Sequence, residues 1–206
     1  MLRPIRVARL GLPILAALLL AACGGGASAD GLPRGSGCPT AQPAPLPASE
    51  TRTVNIETAL GSMSLKIEAD LSPIAAGNFV ALAGCGFYDG IGFHRVVPGF
   101  VIQGGDPTGT GGGGPGYAIK DEPVTATYAR GIVAMARTPR PDSVGSQFFI
   151  ILDDAARGSL EAANTYQIIG SVTSGMETAD AITAAAGGKE LPSDPVVMTH
   201  VTVSNP

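Results

Sequence analysis

Between Val54 and Val203 the apolar residues arrive in short runs, and almost every run is closed by glycine or proline. That punctuation constrains the chain more than any other feature. A segment interrupted so often favours short strands and turns over long helices. The 206 residues include 29 glycines and 17 prolines, with an aromatic share of 5% and no tryptophan. A hydrophobic share of 45% over this length suits one globular domain with appendages.

Within that domain the periodicity is two. Val54, Ile56 and Thr58 alternate with Asn55 and Glu57; after Ala59-Leu60-Gly61, the apolar Met63, Leu65 and Ile67 alternate with Ser64, Lys66 and Glu68. This predicts a hairpin with one buried face. Ser72-Pro73 then offers an N-cap and a proline at the first helical position, Ala75, Phe79, Leu82 and Ala83 follow at helical spacing, and Gly84 ends the run. Further strands are expected over 93–97, 100–103, 131–136, 147–152, 167–172 and 196–203, with a second helix over 174–186. Eight strands and two helices point to a mainly β fold, a closed eight-stranded antiparallel β-barrel with helices covering its ends. There is no internal repeat.

The N-terminus reads as a targeting signal over residues 1–22. Arg3, Arg6 and Arg9 form a basic start, residues 10–20 are apolar but interrupted by Gly11 and Pro13, and Leu20-Ala21-Ala22-Cys23-Gly24 looks like a bacterial lipobox. In such signals the cysteine is lipidated and becomes the mature N-terminus, which makes Cys23 the expected lipidation site and the protein extracytoplasmic and membrane-anchored. The alternative is an ordinary secretory signal with an incidental cysteine. Residues 24–50, rich in Gly, Ala, Ser and Pro, read as a flexible tether of about 30 Å root-mean-square span. The domain itself is expected over 51–206.

Composition narrows the function classes. The formal net charge is −4, and removal of the three leader arginines leaves 10 basic and 17 acidic residues. Nothing there favours nucleic acid as a partner. Two histidines and three cysteines leave little material for a metal site, and no cofactor is implied. With Cys23 lipidated, Cys38 and Cys85 are the remaining thiols in an oxidising compartment and are candidates for a disulfide. The alternative is two unpaired cysteines, with Cys85 buried as a small apolar group. A monomer is expected.

The segment FHRVVPGFVIQGGD, residues 93–106, places Arg95, Phe100 and Gln103 at fixed offsets on two extended pieces joined by Pro98-Gly99. It contains no nucleophile–base pair and no metal-ligand spacing. Together with Ser146-Gln147-Phe148-Phe149-Ile150 downstream, it resembles the cyclophilin family of peptidyl-prolyl isomerases (rotamases). The likeness runs roughly from Val54 to Val203 and implies the same barrel.

The resemblance also implies roles. Arg95, Phe100 and Gln103 would form the catalytic set, with Gln103 binding substrate backbone and helping to orient Arg95. Val101, Phe149 and Leu160 would line the proline pocket with Phe100. Ala136 and Arg137 would contact the residues before proline, and Gln147 would lie along the same groove. Gly111, Gly112 and Gly113 would border a neighbouring pocket. Tyr166 falls where many relatives carry histidine. Two positions depart from the family: Ser159 stands where many relatives have tryptophan, and Ile169 where phenylalanine is usual.

Taken singly, these residues have plainer readings. Phe100 and Phe149 could be barrel core, and Arg95 a structural ion-pair partner. His94 reads as a structural histidine, since no nucleophile is spaced around it. The run Gly109-Thr110-Gly111-Gly112-Gly113-Gly114 matches a dinucleotide loop in form only, because Pro115-Gly116 follows where a helix should start. The leading functional reading is a prolyl isomerase that assists folding of exported proteins and acts on proline-containing polypeptides. The alternatives are a module that binds proline segments without important turnover, and a lipoprotein that captures small solutes.

Overall fold

The computed structural model describes residues 37–205. The leader, Cys23 and residues 24–36 of the expected tether lie outside the described residues. The strands are β1 (Thr51–Thr58), β2 (Gly61–Glu68), β3 (Arg95–Val97), β4 (Val101–Gly104), β5 (Ile132–Met135), β6 (Phe148–Ile151), β7 (Ile168–Ser174) and β8 (Met198–Ser204). The helices are α1 (Pro73–Gly84), α2 (Arg157–Ala163) and α3 (Met176–Ala185).

All eight strands join one antiparallel sheet in the order β3-β4-β6-β5-β7-β2-β1-β8. The expected closed barrel is corrected here: the ladder is open between β3 and β8. The two ends meet only near Gly92 and Val197, which form an isolated bridge. Phe93 N–H donates to Val196 O and Met198 N–H to Ile91 O, both at 2.9 Å. The reason is that a loop occupies the outer edge of β3. This is the loop after α3, where Val96 N–H donates to Glu190 O at 2.8 Å, so that edge is not offered to β8. A bordered edge of this kind is protected from pairing with another chain.

The helix count also differs from expectation. The short α2 was not foreseen, because Leu160 is its one buried side chain and no apolar stripe marks it. The α1 helix starts where Ser72-Pro73 indicates, but Ser72 makes no side-chain cap, and its buried hydroxyl has no partner. Glu122 caps the helix from a distant loop, its two carboxylate oxygens accepting Ile74 N–H at 2.8 Å and Ala75 N–H at 2.9 Å. A carboxylate there satisfies two orphan donors and complements the positive end of the helix dipole.

The tether boundary at residue 50 moves as well. Residues 38–50 form a strap packed on the domain. Leu46 is buried, its N–H donates to Pro73 O at 2.9 Å, and Gln42 Oε1 accepts Lys120 N–H at 2.9 Å. The strap runs so close to α1 that a Cβ at Gly77 would stand 2.5 Å from Ala44 O. Cys38 and Cys85 are joined by a disulfide, with Cα atoms 5.2 Å apart, and the bridge pins the strap to the end of α1.

Two apolar clusters sit on opposite faces of the sheet. The larger fills the inside of the curl beneath α1, where Phe79, Tyr88, Phe93 and Phe148 interlock, the Phe79 and Phe148 rings 5.1 Å apart. Ile169 is fully buried there. The smaller lies on the outer face and holds Val101, Tyr128, Ala134, Phe149, Ile151, Leu160 and Ile168. All four residues of β6, FFII, are buried because alternate side chains feed the two clusters.

Candidate active site

The site is assembled by antiparallel register. Arg95 on β3 pairs with Gln103 on β4, Gln103 with Phe149 on β6, and Phe149 with Ala134 on β5. Directly opposed residues in a sheet share a face. Arg95, Gln103 and Phe149 therefore form one row on the outer face. Pro98-Gly99 makes the reversal between β3 and β4, with Gly99 at φ 71° and Phe100 N–H donating to Val97 O at 3.0 Å. That turn brings Phe100 to the end of the row, while Val101 shares its face with Gln103.

Leu160 from α2 and Tyr166 from the segment before β7 close the far side. The result is a cavity of about 120 Å³ lined by Arg95, Phe100, Val101, Gln103, Ala136, Arg137, Phe149, Leu160 and Tyr166. The structure thus brings together nine of the residues singled out in the sequence. Phe149 is not part of the inner core, and Phe100 is only half-buried. Tyr166 meets Phe149 edge-on, ring centroids 5.4 Å apart at 84°. Ser159, at the tryptophan position, is exposed on α2.

Tyr128 escaped the sequence reading. Its buried hydroxyl donates to Tyr166 O at 2.9 Å and accepts Tyr166 N–H at 3.2 Å, which fixes the backbone that presents Tyr166. Burial pushes the Tyr128 phenol up to about 12. The available signal was a tyrosine in the loop that leads into β5.

A second depression of about 480 Å³ adjoins the first and shares Gln103, Ala136 and Arg137 with it. Its rim is the glycine-rich loop with Gly111, Gly112 and Gly113, and Gln147 lines it as well. Gln103 Nε2 donates to Gln147 Oε1 at 2.9 Å, and Gln147 Nε2 donates to Gly111 O at 3.0 Å and Gly113 O at 2.9 Å. Among the described residues the Gln103 side chain bonds to Gln147 and not to Arg95. Arg95 Nε donates instead to Glu190 Oε1 at 2.8 Å. Ala136 N–H is likewise engaged, by Gln147 O at 2.9 Å, so Ala136 meets a ligand through its carbonyl or by packing. The Arg137 side chain is held by Asp121, 3.0 Å from Nη1, and by the Thr138 and Arg140 carbonyls.

The rim is braced from below by Asp106, which is buried. Its carboxylate accepts Thr108 N–H at 2.7 Å, Thr108 Oγ1–H at 2.8 Å, Gly111 N–H at 2.6 Å and Gly113 N–H at 3.0 Å. Burial raises its pKa, but these donors together outweigh burial and hold the carboxyl below its ordinary range. Neighbouring His94 is buried with neither ring nitrogen partnered. Burial lowers its pKa, Asp106 opposes the shift and Arg95 adds to it, with a net lowering that keeps the ring neutral near pH 7. His94 does not line the arginine pocket; it lines a separate depression beside Asp106 and Thr108.

An arginine, two phenylalanines and a glutamine on the outer face of a curled eight-stranded sheet define a cyclophilin fold. The sequence profile of the family described as cyclophilin type peptidyl-prolyl cis-trans isomerase/CLD matches residues 53–203. The chain belongs to this family and is a peptidyl-prolyl cis–trans isomerase. It is 49% identical over 120 residues to peptidyl-prolyl cis-trans isomerase B of Bacillus subtilis, covering 55% of this chain and 80% of the relative. It is 37% identical over 174 residues to peptidyl-prolyl cis-trans isomerase A of Mycobacterium tuberculosis, covering 75% and 93%. Among solved structures, a cyclophilin-type isomerase from Cryptosporidium parvum superposes with a TM-score of 0.67 at 33% identity, covering 76% of this chain and 99% of that one.

Proposed function

We propose that Arg95 catalyses the isomerisation by donating a hydrogen bond to the prolyl nitrogen, with the ring held against Phe100, Val101, Phe149 and Leu160. An X-Pro bond turns slowly because amide resonance imposes a barrier of ~18–20 kcal/mol. In the twisted amide the nitrogen loses resonance and becomes a better acceptor. A guanidinium aimed at it stabilises that state more than the planar one, so the contribution is electrostatic and needs no proton transfer. The observation that carries this reading is the row Arg95–Gln103–Phe149, which sets a charged donor beside an apolar cavity. Arg95→Ala should leave the fold intact and lower kcat/KM at least tenfold, about 1.4 kcal/mol of transition-state stabilisation. Exchange spectroscopy on an X-Pro peptide reads it, and unchanged exchange rejects the arginine mechanism.

The clients are exported polypeptides, and the protein assists their folding from a membrane anchor at Cys23. Leu20-Ala21-Ala22-Cys23 after a basic and apolar leader supports this location, as does a disulfide between the other two cysteines. Mass spectrometry of the mature N-terminus tests it: a lipidated Cys23 is expected, and an unmodified terminus beyond Cys23 refutes the anchor.

A further inference from the structure

We infer that Glu190 is a positioning residue for Arg95: it holds the guanidinium by its Nε end so that the Nη groups are presented to the proline pocket. The inference rests on the arginine mechanism proposed above.

Glu190 reaches the site through its backbone first. It lies in the loop between α3 and β8, and its carbonyl accepts Val96 N–H at 2.8 Å along the outer edge of β3. That bond sets Glu190 beside the strand that carries Arg95. Its carboxylate then accepts Arg95 Nε–H at 2.8 Å. A guanidinium has five N–H donors, one on Nε and four on the two Nη atoms. Engaging Nε leaves the Nη donors for the pocket that Arg95 lines. The cross-strand neighbour Gln103 bonds to Gln147 instead.

Magnitudes separate positioning from stability. The Arg95 side chain is 33% exposed and that of Glu190 59%. A pair so open to water contributes only about 0–1 kcal/mol to folding. Its effect on the reaction is of another kind. Arginine carries four side-chain torsions, and a displaced donor loses the alignment on which transition-state stabilisation depends. Removing Glu190 should thus reduce turnover while barely moving the melting temperature.

The test uses the full chain and an X-Pro peptide, with kcat and KM measured separately. Glu190→Ala is expected to lower kcat three- to tenfold, leave KM within twofold and keep the melting temperature within about 2 °C. Glu190→Gln retains an acceptor for Nε–H and should restore most of the rate. In an Arg95→Ala background, Glu190→Ala should have no further effect. The Arg95 Nε–H signal in nitrogen–proton correlation spectra should shift to the position of a solvated arginine in Glu190→Ala. Wild-type kcat in Glu190→Ala, with activity lost in Arg95→Ala, overturns the positioning role alone. An equal slowing by Glu190→Ala with and without Arg95 also overturns it. Full activity of Arg95→Ala overturns the arginine mechanism on which it rests.

Discussion

The proline pocket and the depression beside it share three residues, yet the walls of the pocket and the glycine-rich rim of the depression are built by different means. The pocket is made by side chains on paired strands, so the ladder fixes their spacing and apolar packing holds their shape. The rim is a loop with little apolar support, and a buried carboxylate and a glutamine amide hold it through its own backbone. The same groove thus joins a wall that depends on packing to one that depends on hydrogen bonds. The two walls should fail differently.

The largest effect is expected in the pocket. Phe149 is 4% exposed and packs on Tyr166 and the outer cluster. Phe149→Ala should cost about 3–5 kcal/mol of stability by leaving a cavity. It should also lower kcat/KM by more than tenfold, since the ring is a wall of the site. Urea unfolding and peptide exchange read the two quantities. Loss of one without the other would break the claim that packing and recognition coincide here.

Asp106→Ala should cost less, about 2–3 kcal/mol, by removing an ionised acceptor from three N–H groups and a hydroxyl. Catalysis on a minimal Ala-Pro substrate should stay within threefold, because no proline-pocket residue bonds to Asp106. Substrates that vary further before the proline should be discriminated less well. A collapse of minimal-substrate activity would mean that the two walls are one unit.

Two adjacent glycines sharpen the point. A Cβ at Gly113 would stand 2.0 Å from Asp106 Oδ1, while one at Gly112 would meet nothing closer than Thr110 Oγ1 at 3.7 Å. Gly113→Ala should cost about 1–3 kcal/mol by overpacking the carboxylate. Gly112→Ala should stay within about 0.5 kcal/mol. Equal effects in denaturant would show that the rim does not depend on that approach.

The gentlest lever is pH. His94 titrates lower in the fold than its ordinary value of 6.5, so the unfolded chain takes the proton first and stability falls as pH drops below about 6.5. Asp106 is also held low; its contribution is full above the unfolded value near 3.8 and is lost as pH falls through the folded value. Unfolding midpoints should decline in two limbs, and His94→Gln should remove the upper one. A wild-type profile flat between pH 7 and 5 would contradict a His94 whose pKa is lowered in the fold.

What was legible in the sequence follows the same division. Alternation marked β1 and β2, the apolar run over 147–152 marked a strand, and the ordered motif located Arg95, Phe100, Val101, Gln103 and Phe149, while the family resemblance supplied Ala136, Arg137, Leu160 and Tyr166. The contacts that escaped are polar and distant. Glu122 caps α1 from 48 residues away, and Glu190 meets Arg95 from 95 residues away. A single carboxylate carries no periodicity, so nothing local announces its partner. The strap escaped because Leu46 is one buried anchor in a proline-rich stretch, and the open edge escaped because it depends on the distant Glu190 loop meeting β3.

The Cys38–Cys85 bridge also sets a path for mechanical load. The strap, β1, β2 and α1 all lie inside the covalent loop it closes. A pull on the chain upstream of Cys38 crosses directly to Cys85 and leaves those elements slack. Tension from that side cannot peel β1 from between β2 and β8, as it could in a chain with reduced cysteines. Under such a load β1 and β2 would carry no tension, and reducing agent would reroute the strain through the first strand.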